Sequence, residues 1–360
     1  MSLMGLDIGS SGCKVSVYNA DGALITSSEA SYEVLRGEAG VFELDCFEVE
    51  RALYKTIKEA GDTSLWEGKY RSDPVEAISV GSFGEAMVPL DKNGNILGPS
   101  IFSHDERRKD AISRFEAMGH EAFYRINGNI LGYSYTYPKL VWYQENQSEL
   151  HSKIWKVLSW ADFLVYRLSG VAATNYCHAN RTLLFDLWNE KWSDELLAIG
   201  GLDGRILADT IPPGTLMGTI LPEMATKLGL NRDVKIIVGG HDQCINALGA
   251  GAVKGGDSVT GIGTVECTTV IFDSIPDPKM MLNLNLGVEH HVVPGKYVAF
   301  IHNQAGALQT WFMKAFTSDL QKQGLSEREI LALLTAEAPS APSNLLFFPF
   351  VEPSGEEKKI

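Results

Sequence analysis

The sequence predicts an α/β protein with a duplicated architecture. Three short strands joined by glycine-containing turns open the chain at residues 4–8, 13–18 and 23–28, which predicts an antiparallel meander. Buried-type strands follow at 75–80 and 234–238. The pattern of strand, glycine turn and strand returns at 255–268, and this return indicates that the first architecture is used twice.

Apolar residues at helical spacing predict helices between these strands. The expected helices cover residues 47–60, 110–118, 137–145, 155–166, 224–228 and 245–252. A length of 360 residues suggests two domains, at roughly 100–200 residues for each. The strand and turn pattern that returns after residue 240 places the boundary between a first domain, 1–245, and a second domain, 246–360.

Charge and composition exclude several classes of function. The formal net charge of −14 opposes binding to nucleic acid, which needs clustered Lys and Arg. No apolar run reaches the roughly 18 residues of a membrane-spanning helix, so no membrane partner is expected. The five cysteines are odd in number and contain no CxxC pair, which predicts reduced thiols and a cytoplasmic location. Pairing of two copies into a homodimer is left open.

Residues 7–14 form the first segment that can carry chemistry. Its small residues Gly9, Ser10, Ser11 and Gly12 allow backbone N–H groups to approach an anion, and Asp7 at the strand end suits a hydrated Mg²⁺. The spacing fits neither GxxxxGK[ST] nor GxGxxG, and a strand follows where those motifs need a helix. An ordinary hairpin turn remains the alternative.

Two further glycine segments resemble phosphate and catalytic sites. Residues 261–268 place Gly263 and Thr264 in a second glycine turn between β-branched strands. Residues 239–244 place Asp242 between a buried strand and a helix, where a carboxylate can accept the proton of a hydroxyl during phosphoryl transfer. Helix capping is the alternative role of Asp242, and both roles are compatible.

A fourth group of polar residues lies at the ends of predicted strands. Glu85 stands between Gly84 and Ala86 without other charges nearby, whereas His104 and Asp105 begin a charged segment. Carboxylates and a histidine at strand ends can bind several hydroxyls of a polyol. A solvated charged loop is the alternative, and it fits Glu85 least well.

Taken in order along the whole chain, these segments resemble the FGGY family of carbohydrate kinases, which share the actin, hexokinase and Hsp70 fold. Residues 134–146 are similar to the first family signature, with Lys139 and Trp142 at the expected spacing and Tyr143 as a mild departure. Residues 240–243 resemble the catalytic motif of the xylulokinase-type members. Residues 347–350, Phe-Phe-Pro-Phe, are similar to an apolar segment of the family.

The resemblance implies duplicated ribonuclease H-like domains with mixed sheets, and an ATP- and Mg²⁺-dependent enzyme that phosphorylates a ketose or related polyol, a xylulose-like pentulose above all. Asp242 would be the general base, and Asp7 and Asp242 would hold Mg²⁺ directly or through water. Glu85, His104 and Asp105 would bind the sugar. The residues expected at the ATP phosphates and the nucleotide are Gly9, Ser10, Ser11, Lys14, Gly263, Thr264 and Gly306.

Two departures from the family pattern limit these expectations. Xylulokinase-type members carry a histidine where this chain has Glu85, and glycerol-kinase-type members carry Glu there but with an arginine before it, where this chain has Gly84. The chain also stops ten residues after Phe350, so the resemblance predicts a partial second domain that lacks the adenosine segment. A non-catalytic sugar or nucleotide sensor on the same fold is the alternative function.

Overall fold

A computed structural model of the chain describes residues 1–262 and 265–341, together with Asn344. The chain divides into two compact units, Met1–Asp257 with Val270–Ala299 and Ser258–Thr269 with Phe300–Ile360. These units are defined by compactness, whereas the boundary predicted between residues 245 and 246 separates two domains of the family. The division into units does not test that boundary, which stays a prediction.

The first unit contains most of the secondary structure. Its strands are β1 Ser2–Ile8, β2 Gly12–Asn19, β3 Leu24–Ser31, β4 Val34–Arg36, β5 Phe42–Leu44, β6 Val75–Ser82, β7 Met87–Leu90, β8 Ser100–Ile101, β9 Lys156–Ser159, β10 Ala173–Asn175, β11 Phe185–Asp186, β12 Lys191–Trp192, β13 Asp209–Ile211, β14 Leu216–Thr219, β15 Lys235–His241 and β18 Glu289–His290. Its helices are α1 Cys46–Gly61, α2 Ser113–Glu116, α3 His120–Asn127, α4 Thr136–Asn146, α5 Ser148–Lys153, α6 Trp160–Ser169, α7 Tyr176–Asn180, α8 Asp194–Gly200, α9 Pro222–Leu228, α10 Asp242–Gly249 and α11 Pro278–Asn283. Short 3-10 turns lie at Glu38–Gly40, Thr63–Leu65, Lys109–Ile112 and Gly204–Ile206.

A mixed six-stranded sheet in the order β14-β15-β6-β1-β2-β3 is the centre of the first unit. Strands β1, β2 and β3 form the predicted antiparallel meander. Strands β6 and β15 then run parallel to β1, and β14 closes the other edge antiparallel to β15. The carboxyl ends of β1, β6 and β15 therefore meet at one edge of the sheet, the arrangement in which α/β sheets bind ligands.

Local chemistry explains why these elements form. Every second residue of β1 is buried, as a strand with one face on the core requires. Helix α1 begins where the side chain of Asp45 accepts the amides of Phe47 and Glu48, and its buried face packs on the sheet beside β2 and β3. Helix α6 ends at Gly170, which adopts the left-handed conformation that glycine tolerates best.

The helix predicted at 155–166 is wrong in its first part. Residues Lys156–Ser159 form β9, which pairs antiparallel with β7, and α6 begins only at Trp160. The hydroxyl of Ser159 accepts the amide of Asp162 and so caps the helix. The apolar pattern alone did not reveal the change because the partner strand lies about 70 residues earlier in the chain.

The second unit contains β16 Ser258–Ile262 and the helices α12 Gly306–Phe316, α13 Ser318–Lys322 and α14 Glu327–Glu337. The residues of β17 Val265–Phe272 and of β19 Tyr297–Gln304 are divided between the two units. Helix α14 begins with a capping box formed by Ser326 and Glu329. Throughout the described ranges, every helix is too short or too polar to cross a bilayer.

Candidate active site

The register of three neighbouring strands places Asp7 and Asp242 at the same edge of the central sheet. Asp7 pairs with Gly81 of β6, and Gly81 pairs with Gly240 of β15, so these residues form one row across the sheet. The register between β6 and β15 shifts at Gly239, where a Cβ atom would lie 2.0 Å from the carbonyl oxygen of Val80. Only glycine fits this close approach, and Asp242 follows three residues later.

Asp242 is the first residue of α10, with His241 at the N-cap position, so the capping role considered for Asp242 falls one residue too late. Its Oδ1 accepts the amide of Gln243 at 2.6 Å and lies 3.3 Å from Nε2 of His241. Burial raises the pKa of Asp242 from its ordinary value to about 6, with repulsion from Asp7 as the next cause. The side chain nevertheless keeps 28% of its surface exposed, as a base that must reach substrate requires.

Asp7 and Asp242 line one cavity of about 300 Å³ together with Gly81, Gln243 and Asn246. Burial raises the pKa of Asp7, while Lys14, its partner across the β1–β2 pair, opposes the shift. Two carboxylates in one cavity fit Mg²⁺, which proteins commonly hold through one or two carboxylates plus waters and substrate phosphates. In the part of the chain that the structure describes, no group of three or more His, Cys, Asp or Glu residues forms a closed metal site.

The predicted phosphate hairpin between β1 and β2 lines a second cavity of about 370 Å³, which Asp7 shares with residues 9–14 and 29–31. The hydroxyl of Tyr32 donates to the carbonyl oxygens of Gly9 and Gly12, at 2.6 and 2.9 Å. With these carbonyls held, the amides of Ser10 and Ser11 have no bonded acceptor within the described ranges, and both residues are exposed. Unpaired amides in a tight turn are a common anion-binding arrangement.

Glu85 is buried and forms an ion pair that the sequence did not indicate. The guanidinium of Arg181, which follows α7, donates from Nε to Oε1 of Glu85 at 2.7 Å and from Nη1 to Oε1 of Glu289 at 2.7 Å. A Cβ atom at Gly84 would lie 2.3 Å from Nε of Arg181. Arg181 therefore occupies the space beside Gly84, the position at which glycerol-kinase-type members carry an arginine.

His104 and Asp105 lie on the segment after β8. Asp105 is buried, and its carboxylate accepts the amides of Phe42 and Arg107 at 2.8 and 2.9 Å as well as the guanidinium of Arg107. Each oxygen thus already has a protein donor, which leaves only the remaining lone pairs for a hydroxyl. His104 is exposed and stacks on Phe102, with ring centroids 5.5 Å apart.

A buried polar network behind the site was not predicted. Nδ1 of His178 accepts from the side-chain Nδ2 of Asn175 at 2.7 Å, and Nε2 lies 3.3 Å from the carbonyl oxygen of Ser82 at the end of β6. Burial lowers the pKa of His178 to about 4, so the ring is neutral. Its ring meets that of His241 edge-on at 6.2 Å, which ties the network to the residue before Asp242.

The remaining predicted residues lie elsewhere. Gly306 begins α12 in the second unit. Gly263 and Thr264 lie outside the described residues, as does the segment 347–350. Lys139 of α4 is buried and donates to the carbonyl oxygen of Ser103 at 3.2 Å, and burial lowers its pKa to about 7. The structure thus places Asp7, the hairpin and Asp242 at two cavities that share Asp7, with Glu85, His104 and Asp105 in the same unit.

A meander followed by parallel strands, with carboxylates at their shared edge, defines an α/β protein of the actin and hexokinase fold class. Residues 2–249 match the model of the N-terminal domain of the FGGY family of carbohydrate kinases. Because this match covers more than half of the chain, the chain belongs to the FGGY family of carbohydrate kinases. The family resemblance seen in the sequence is therefore confirmed.

The individual relatives are kinases whose names give different substrates. The chain is 28% identical over 352 residues to a xylulose kinase of Lactococcus lactis, covering 97% of this chain and 67% of the relative. It is 25% identical over 349 residues to an autoinducer-2 kinase of Photorhabdus laumondii, covering 94% and 64%. The crystal structure of a xylulose kinase from Rhodospirillum rubrum has the same fold, with a TM-score of 0.84 at 22% identity over 94% of this chain and 68% of that one. The chain thus spans about two thirds of the length of these relatives.

Proposed function

We propose that this chain belongs to an ATP-dependent kinase that transfers the γ-phosphoryl group to a hydroxyl of a ketose or related polyol, a pentulose of the xylulose type. The observation that carries the proposal is the position of Asp242. It lies in one cavity with Asp7, which also lines the cavity of the hairpin with unpaired amides, and its pKa is raised. A carboxylate that is ionised near neutral pH and open to a cavity suits a general base.

In the proposed reaction, Asp242 accepts the proton of the sugar hydroxyl while that oxygen bonds to the γ-phosphorus. The bond from the γ-phosphorus to the bridging oxygen breaks, and ADP leaves with its electron pair. Most of the catalytic effect in such transfers comes from positioning and charge stabilisation rather than covalent chemistry. The amides of Ser10 and Ser11, with Gly9 and Lys14, would receive the phosphate oxygens.

When bound, Mg²⁺ neutralises phosphate charge, and Asp7 and Asp242 are the residues that would hold it, directly or through water. Glu85 would accept a sugar hydroxyl, with His104 and Asp105 at the rim. Gly263, Thr264 and Gly306 remain proposed nucleotide contacts. A cytoplasmic location and the homodimer option also remain parts of this proposal.

An ADP-release assay with MgATP and a panel of pentuloses, hexuloses and polyols tests the function. The Asp242→Asn variant keeps the shape of the side chain and removes the base, so turnover is expected to fall about 10²–10⁴-fold, while calorimetry shows sugar binding within a few fold of the original chain. Asp21→Asn in the exposed turn after β2 is the matched control and should leave turnover unchanged.

Two results would contradict the proposal. Near-normal turnover of Asp242→Asn would reject Asp242 as the base. Sugar binding by the original chain without ADP release, under any MgATP concentration, would instead favour a binding protein on the same fold.

A further inference from the structure

The ion-pair cluster formed by Arg181, Glu85 and Glu289 is built more tightly than a surface salt bridge. Arg181 donates to both carboxylates, and its guanidinium also lies 5.5 Å from the ring centre of Tyr135. The side chains of Glu85, Arg181 and Glu289 expose only 10%, 13% and 3% of their surfaces. Displacing any one of them would leave a charge buried without its partner, which is costly.

Topology places this cluster beside the proposed reaction centre. Ser82 of β6 pairs with His241 of β15, so the loop that carries Glu85 and the helix that begins at Asp242 leave the sheet side by side. Gly240 is in turn packed against Cys177 of α7 and Val292 after β18, the two segments that supply Arg181 and Glu289. All of these residues lie in the first unit.

The charges of the cluster do not cancel. Both donors from Arg181 to Glu85 converge on Oε1, so Oε2 of Glu85 has no donor within the described ranges and can accept a hydroxyl. Oε2 of Glu289 is buried without a hydrogen-bond partner in the same part of the chain. One guanidinium thus faces two carboxylates. Asp7 and Asp242 add two further negative charges nearby, and Lys139, which interacts with Glu85, adds one positive charge, so the region keeps an excess of negative charge.

We infer that Arg181, held between Glu85 and Glu289, makes the acceptor site selective for uncharged polyhydroxy substrates over sugar acids. The inference rests on the proposed sugar-kinase function. An isolated arginine would attract a carboxylate, since its planar fork suits bidentate binding. Here the guanidinium of Arg181 already donates to two carboxylates of the protein. An anionic substrate is therefore repelled by the excess negative charge of the cluster.

The decisive experiment compares two ligands that differ in charge and hardly in shape. Calorimetry with the full chain at pH 8 measures the affinities of D-gluconate, D-gluconamide and D-xylulose. We expect D-gluconate to bind at least tenfold more weakly than D-gluconamide. A ratio within threefold would overturn the inference and leave the kinase proposal standing, whereas failure of all three ligands to bind would refute the sugar site itself.

A variant then tests the part played by Glu289. Glu289→Gln removes one of the two negative charges that balance Arg181. We expect the ratio of the affinity for D-gluconamide to the affinity for D-gluconate to shrink at least fivefold. Glu195→Gln, at an exposed position in the first turn of α8, changes the net charge equally and should leave the ratio unchanged. If the two variants have the same ratio of D-gluconamide affinity to D-gluconate affinity, Glu289 does not determine the discrimination against the charged ligand. Thermal melting of each variant confirms folding, and the comparison of ligands on the original chain remains decisive if Glu289→Gln does not fold.

Discussion

The space beside Gly84 is filled by Arg181, so Gly84→Ala should damage the ion-pair cluster without touching its charges. The added Cβ would lie 2.3 Å from Nε and 2.6 Å from Cδ of Arg181, whereas real Cβ atoms stay beyond 3.0 Å from their neighbours. The guanidinium must therefore move by at least 0.7 Å, the difference between 3.0 and 2.3 Å. Its hydrogen bonds to Glu85 and Glu289 are 2.7 Å long, and such a shift stretches them towards the limit of a hydrogen bond.

We expect Gly84→Ala to lower the free energy of unfolding by about 2–4 kcal/mol, since overpacking and a strained buried ion pair act together. For a unit of this size the melting temperature should fall by about 3–7 °C, measured by differential scanning calorimetry. Gly68→Ala is the control, because its Cβ would meet nothing within 4 Å. Melting of Gly84→Ala within 1 °C of that control would refute the account of how Arg181 is held.

Two further predictions concern pH. Asp242 must lose its proton to act as a base, so kcat/KM with a saturating second substrate should rise with pH and level off above about pH 6. A value of kcat/KM that does not change between pH 5 and pH 7 would contradict the assignment of Asp242 as the base. Burial raises the pKa of Asp162 to about 7 in the folded chain. Between the ordinary carboxyl pKa and pH 7, the folded state therefore binds more protons than the unfolded state. The free energy of unfolding should fall as the pH rises through that range. Urea unfolding at pH 5 and pH 8 measures this fall in the original chain and in Asp162→Asn, and the fall should be smaller in the variant. If the free energy of unfolding drops by the same amount in both chains, Asp162 does not titrate in this range.

The elements that sequence reasoning found were those whose signals are local. The meander of β1, β2 and β3 follows from alternation and glycine turns, and the strand before Asp242 from an apolar run. Asp7 and Asp242 were found because a carboxylate directly after a buried strand is visible within a few residues. Their meeting in one cavity follows from parallel strands, which the family resemblance implied.

The residues that sequence reasoning missed act over long separations. Arg181 reaches Glu85 across 96 residues and Glu289 across 108, so no local pattern connects them. The sequence did contain one indication of such a partner. A glutamate that follows a buried-type strand needs a nearby cation, and because the preceding residue is Gly84, that cation must come from elsewhere in the chain. His178 has one local partner, Asn175, but its contact with Ser82 spans 96 residues, so its place at the end of β6 was not visible in the sequence.

The floor of the cavity below Asp7 and Asp242 limits how this protein could acquire a new substrate. Gly81 lines this cavity with backbone alone, and a Cβ atom on it would lie 2.5 Å from Cδ1 of Ile245, which lines the same cavity. A side chain at Gly81 would therefore displace Ile245 and change the shape of the cavity. Variants selected for new sugars should therefore keep Gly81 and carry their substitutions among the side chains around the opening.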